Sequence, residues 1–268
     1  MKPVRRCAMA LLLATYLAGL AAGWLAPAGY ARQFRDAPGA PPSRAFPLGT
    51  DELGRDALAR LLYGSRVSLV LAPAAAALAT LLGAAVGVAA GYLGGWADTC
   101  LCRVMDLFLS VPWLFLLLGV RAALPLNVPP LESVTITFLL LGLLGWAAPA
   151  RVLRAAAREI RSEDFMVQAR ARGCGRLRLL ARHLAPNLLP VLTAQFWISV
   201  PVFILSEANL GFLGLGVTEP LPSWGNLLAG LQNVDALAGC PWRLAPLVLL
   251  LLVMTCFHLV VPLEDLSR

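Results

Sequence analysis

Lysine occurs once in the 268 residues, at Lys2. A phosphate-cradling P-loop needs a lysine at the start of its helix to reach the β- and γ-phosphates, so no such loop exists in this sequence. The two histidines are far apart: His183 lies in an arginine-rich stretch and His258 in an apolar one. His258 reads either as a satisfied core histidine or as an intramembrane functional group. The six cysteines (Cys7, Cys100, Cys102, Cys174, Cys240, Cys256) lack zinc-site spacing. The Cys100-x-Cys102 pair is too short and has no histidine beside it, so the cysteines read as apolar filler. No catalytic residue, no metal site and no cofactor of its own is expected for this chain.

The chemistry that remains is charge. Residues 161–187 read RSEDFMVQARARGCGRLRLLARHLAPN, with Arg161, Arg170, Arg172, Arg176, Arg178 and Arg182 beside His183. The pattern predicts helix, a turn at Gly173-Cys174-Gly175, helix again, and a stop at Pro186. It is the one long polar segment in the second half of the chain, held between apolar runs. Such an island is a handle for something outside the bilayer. Small residues at Ala169, Ala171 and Gly173 keep one surface slim, and the arginines suit acidic groups on a partner or anionic lipid headgroups. The glycine turn and proline stop favour a docking role over a purely topological one.

These residues need elements to hold them. The sequence is 59% hydrophobic and 14% charged with net charge +7, and its mean hydropathy is +0.75. A soluble domain carries about 25% charged residues. Several runs near the ~20 residues of a bilayer crossing predict an all-α polytopic membrane protein with about six transmembrane helices.

Residues 1–27 read as a retained first span with a basic cytoplasmic end. The apolar run is long for a signal peptide and lacks a well-placed small-residue cleavage site. Residues 28–64 read as an extracytoplasmic segment. Its first part is an extended Pro/Gly-rich linker; its second is a short amphipathic helix capped by Thr50 or Asp51 and presenting Leu53, Ala57, Leu61 and Leu62. Residues 65–268 hold the remaining spans: about 65–92, 103–124 interrupted by Pro112, 133–149 running on past Arg151, 187–206, and 243–261. Gly83, Gly87 and Gly91 share one face of the second span and suit close helix approach in lipid. Most Lys and Arg fall on the side holding the N-terminus and the 151–187 loop, which puts both termini and that loop in the cytoplasm. Basic residues clustered in loops are a topology signal, not a nucleic-acid surface.

Glu207 is placed at the end of the fifth span, beside a Gly-rich loop able to fold back. It reads either as a gate or path-lining residue, together with Asn209, or as a helix-cap or salt-bridge partner of Arg66 or Arg243. Trp224 and Trp242 read as interface anchors or as contacts for an outside protein.

Three stretches together resemble one family. LGTDELGRD at 48–56 and EANLGFLGLGVTEPLPSWG at 207–225 are similar to segments of the dipeptide/oligopeptide/nickel branch of ABC importer permeases. The 151–187 loop resembles the coupling loop of ABC importer permeases generally. Carried over, the motif glycine falls on Gly173, preceded by Ala169, Arg170, Ala171 and Arg172. The Glu of the motif name falls on Val167 and its first Ala on Gln168, so two signature positions are substituted. Arg182, His183 and Pro186 match the basic-His…Pro-Asn ending. The resemblance, covering about residues 45–265, implies a permease subunit importing di- or oligopeptides or nickel by alternating access. It implies a second homologous permease chain, two ATP-binding subunits that carry the ATP and Mg, and an extracytoplasmic solute-binding protein, in a bacterial inner membrane with its lipid. A stand-alone secondary transporter or channel should show inverted repeats or paired broken helices with ion ligands, and neither is evident here.

Overall fold

In lipid every backbone N–H and C=O must be bonded within the protein, and this chain meets that demand with helices. The computed structural model describes residues 2–26, 28–232 and 241–260. Among these residues twelve α-helices follow in order: α1 (Lys2–Leu20), α2 (Ala22–Leu25), α3 (Ala57–Leu93), α4 (Gly95–Ser110), α5 (Trp113–Ala122), α6 (Pro130–Leu144), α7 (Ala147–Ser162), α8 (Asp164–Ala171), α9 (Arg176–Leu179), α10 (Ala185–Phe212), α11 (Trp224–Ala229) and α12 (Ala245–Val260). No β-strand forms among the described residues, only two isolated bridges. Among the described residues five helical stretches are long and apolar enough to cross a membrane, or six if the bent pair α4–α5 is one span. The all-α polytopic expectation therefore holds.

Several boundaries differ from expectation, each for a local reason. The short amphipathic helix over 51–62 does not form as a separate element. Asp51 is occupied in a turn, accepting from the N–H of Leu53 and Arg55. Asp56 accepts from Leu58 N at 3.0 Å instead, and α3 runs 37 residues from Ala57 through Pro73 without a break. The segment before it is not a bare linker: Thr50 is buried, bonded to Ala37 O and Ala40 N, and the Phe34 and Phe46 rings meet edge-on at 4.9 Å. The third span is broken by 82° between α4 and α5. Pro112 disfavours helical geometry in the residue before it, and Val111 is extended at φ −88°, ψ 126°. The expected fifth span is α10, which reaches Phe212, well beyond the expected 206. Of the loop expected over 207–242, residues 233–240 with Cys240 lie outside the described residues, as does the tail from 261.

The chain divides into two compact units. One comprises Met1–Ala72, Leu118–Phe138 and Pro201–Pro262. In it α1 packs along α12 and meets the start of α3 so closely that a Cβ on Gly19 would come within 3.0 Å of the Arg66 amide.

The other comprises, among the described residues, Pro73–Leu117 and Leu139–Val200. Here the predicted glycine seam of α3 is occupied by α7. A Cβ on Gly83 would lie 2.9 Å from the Trp146 carbonyl oxygen, one on Gly87 would strike the Ala150 carbonyl, and one on Gly91 would lie 2.5 Å from the Arg154 carbonyl oxygen. Backbone thus lies directly on backbone, the contact that small residues permit between helices in lipid. Ala90, Met105 and Ala150 close the core around this crossing.

Candidate functional site

The arginine-rich loop is built from α7 outward. Leu153 and Ala157 bury one face of α7, and Arg154 on its flank holds Asp98 with bonds of 2.5 and 2.7 Å. Arg151 pairs with Asp106. The chain turns at Glu163, which is extended at ψ 146°, and α8 begins. Met166 of α8 is fully buried with Ala157, Leu179, Leu184 and Leu188, while Ala169 and Cys174 pack against the same cluster. A small apolar core therefore anchors an eight-residue helix whose opposite face is open.

Gly173 ends that helix at φ +78°. Its N–H donates to the Arg170 carbonyl at 3.0 Å, and the Cys174 N–H donates to the Ala169 carbonyl at 3.1 Å. That pair of bonds is a Schellman turn, which favours glycine at the left-handed position, and Ala169 and Cys174 on either side of it both pack on the same apolar cluster. A Cβ at Gly173 would meet nothing within 4 Å. Glycine is needed here for its backbone conformation and not for space.

Beyond Gly175 the chain re-enters helix and widens into a π turn over Leu180–Leu184. The expected stop at Pro186 does not occur. Pro186 has no N–H, and the turn adapts: Ala185 N bonds Leu180 O, while the Asn187 side-chain amide donates to His183 O at 2.6 Å. The helix continues directly into α10. Val167, Gln168, Arg170, Ala171, Gly173, Arg182 and Pro186 are all exposed, Ala169 is half-buried, and so is His183, whose ring faces Phe165. Most of the predicted loop residues are thus open to the surroundings, whereas Ala169 turns toward the core of the loop.

Glu207 and Asn209 are not brought together. They are two positions apart on α10, and Glu207 is wholly buried whereas Asn209 is exposed. Ser68 of α3 donates to Glu207 Oε2 at 3.0 Å and accepts the Trp224 backbone N–H at 3.1 Å. The Trp224 indole donates to Ser65 Oγ at 3.0 Å. Hydroxyl dipoles thus stand where a counter-cation was expected, and among the described residues no arginine pairs with this carboxyl; Arg243 lies against Glu52 instead. Trp224 is neither interface anchor nor outside contact, being completely buried. It opens α11, which Ser223 and Asn226 cap reciprocally. Gly211, Gly216 and Gly225 allow the 213–223 loop to fold back, because a Cβ on Gly211 would strike the Gly225 backbone.

Residues 64–263 match the family described as binding-protein-dependent transport system inner membrane component. The chain belongs to that family. It is 35% identical over 202 residues to a protein of Brucella suis named as a peptide permease, covering 75% of this chain and 65% of that one. It is 32% identical over 204 residues to the oligopeptide transport system permease protein of Bacillus subtilis, covering 76% and 64%. It is 36% identical over 250 residues to the di/tripeptide transport system permease protein of Pseudomonas aeruginosa, covering 91% and 80%. The chain spans just under two thirds of the length of the first two of these relatives.

Two features of this inner membrane component escaped the sequence reading. Arg121, inside the third span, is buried and bonded only to Pro125 O and Ser133 Oγ among the described residues; Ser133 in turn holds Gly216 O and Thr218 N. An arginine within an apolar run was the available signal. Ser65 and Ser68, three residues apart near the start of the second span, were another.

The loop after α10 is also pinned at Glu219, which bonds Arg60 and Arg55 at 2.6 Å each. Burial raises the Glu219 carboxyl, but the hydrogen bonds and charges of Arg60 and Arg55 outweigh it and leave it below its ordinary 4.5. A depressed carboxylate stabilises fully above its unfolded value and loses that contribution as pH falls through the lower folded value. The side chain is 45% exposed, so the link is worth about 1 kcal/mol or less. Hydrogen exchange over residues 213–223, corrected for intrinsic rates, should stay protected down to the unfolded carboxylate range and loosen only below it. Glu219→Gln should abolish that acid step; an acid step that survives in the variant assigns it to another group.

Proposed function

We propose that this chain is a permease subunit of an ATP-driven importer, working with a second homologous permease chain, two ATP-hydrolysing subunits and an extracytoplasmic solute-binding protein. Its solute is a di- or oligopeptide: the relatives above are named for peptides, which places peptides ahead of the nickel implied by the branch resemblance. The N-terminus and the 151–187 loop face the cytoplasm of a bacterial cell, as the arginine distribution indicates, and ATP with Mg is bound by the partners.

The observation that carries the reading is the anchored, outward-facing α8. Transmitting a stroke requires an element that does not dissipate it in conformational freedom. A helix fixed by Met166 on one face, locked by a Schellman turn at Gly173 and set on α7 by buried packing meets that requirement. Displacement of α8 is passed to α7, and through the glycine seam to α3. Alternating access follows when that displacement biases one of two arrangements of the spans.

The test is reconstitution of the chain with candidate ATPase, permease and binding-protein subunits from the same bacterium. Labelled tripeptide uptake into proteoliposomes should need ATP and every subunit. Uptake by this chain alone, driven by an ion gradient and indifferent to ATP, would sink the proposal.

A further inference from the structure

The exposed face of the loop has a chemistry of its own. Val167 is 51% exposed and Leu177 is 84% exposed, and around them Arg170, Arg172, Arg176 and Arg178 are exposed as well. No ion pair joins these arginines among the described residues, in contrast to Arg151 and Arg154 of α7, which are paired. The acids of α8 are confined to its start, at Glu163 and Asp164, where the helix dipole favours them. The remainder is an exposed, unpaired cationic surface that also carries two bare apolar positions, Val167 and Leu177.

We propose that the partner surface receiving α8 is a groove with an apolar floor beneath Val167 and carboxylates along its rim. This rests on the coupling reading above and specifies its contact chemistry. Arginines can be desolvated in an interface only if paired, and carboxylates match their fork geometry. A floor holding a cation would leave that cation unpaired against valine, a costly arrangement. A lipid surface fits less well. An interfacial helix presents a continuous row of large apolar side chains, whereas on this loop the exposed Phe165, Val167 and Leu177 are interrupted by Gln168, Arg170, Arg172, Gly173 and Arg176.

The test uses the whole transporter, isolated through a tag on this chain, with ATPase retention followed from about 0.05 to about 0.5 M salt. Retention of the unaltered complex should fall with salt. Arg170→Gln with Arg176→Gln should weaken it about tenfold, roughly 1.4 kcal/mol, and flatten the salt dependence. Val167→Leu should retain the ATPase as before, and Val167→Glu should weaken it about tenfold, since the new carboxylate faces carboxylates. Unchanged thermal unfolding of each variant separates binding from folding. Equal or tighter retention with Val167→Glu overturns the proposal, because a cation must then lie beneath residue 167. Retention unaffected by salt and by the arginine changes overturns it too, and loss of binding to vesicles of about 30% anionic lipid in the same variant would assign the arginines to lipid. Failure of the unaltered chain to hold any ATPase at low salt would instead strike the coupling reading itself.

Discussion

Gly173→Val is expected to leave ATP hydrolysis by the assembled transporter near its original rate while cutting tripeptide uptake per ATP by about tenfold. The left-handed conformation costs a non-glycine residue about 1–2 kcal/mol, and a β-branched residue more. At φ +78° valine therefore drives the turn out of its geometry, the bonds from Gly173 N and Cys174 N to α8 are lost, and the anchored helix ends in a slack segment. The space around the position makes the series diagnostic. Since a Cβ meets nothing within 4 Å, the damage should follow conformational preference, with Asn mildest, Ala intermediate and Val worst. If bulk against the partner decided the outcome, Ala would be mildest and Asn worse. Uptake and hydrolysis measured on the same proteoliposomes separate these orders, and full uptake with valine would remove Gly173 from the coupling path.

The loop was legible because its signals are local. A glycine after a short helical run with arginines around it specifies the turn and the polar character of the loop without reference to the remainder of the chain. The buried side was not legible, since Ala169, read with Ala171 and Gly173 as part of the slim docking surface, packs inward beside Met166. The glycines of α3 were legible from a local signal too, as a period of four on one face. What was not legible depended on partners distant in sequence. Nothing near Glu207 announces that Ser68, 139 positions away, will bond it, so a salt bridge to an arginine stood as the natural alternative. Thr50 and Asp51 have the composition of a helix cap, yet tertiary bonds to Ala37 and Ala40 and a local turn claim them first. Pro186 has the composition of a helix stop, and the π turn with the Asn187 amide overrides it. In each case local preference was outbid by bonds that only the folded chain provides.

The same distinction locates the most sensitive position away from the loop. Gly211→Ala is expected to destabilise the protein by roughly 3 kcal/mol, at the upper end of what overpacking costs. The added methyl would meet backbone and not a side-chain tip: the Gly225 backbone lies directly above it, and the Asn226 amide within 2.8 Å. Backbone cannot rotate aside, so α11 must lift from α10. Lifting it pulls Trp224 away from Ser65 and Ser68, and moves Ser223 and the Gly225 backbone off the Glu207 carboxyl, leaving only Ser68 on its Oε2. The carboxyl would then be buried with fewer partners, which adds to the cost. Gly230→Ala supplies the control, since Gly230 ends the same α11 at φ −62° with nothing within 4 Å of its Cβ position. That change should be neutral or stabilising by up to about 1 kcal/mol. Thermal unfolding in detergent compares the two, and Gly211→Ala should also expose a cysteine placed at Ser68 to thiol reagents that do not reach it in the parent. If Gly211→Ala melts with the Gly230→Ala control and the probe stays protected, α11 is not held to α10 by this glycine contact, and Glu207 must be satisfied by another arrangement.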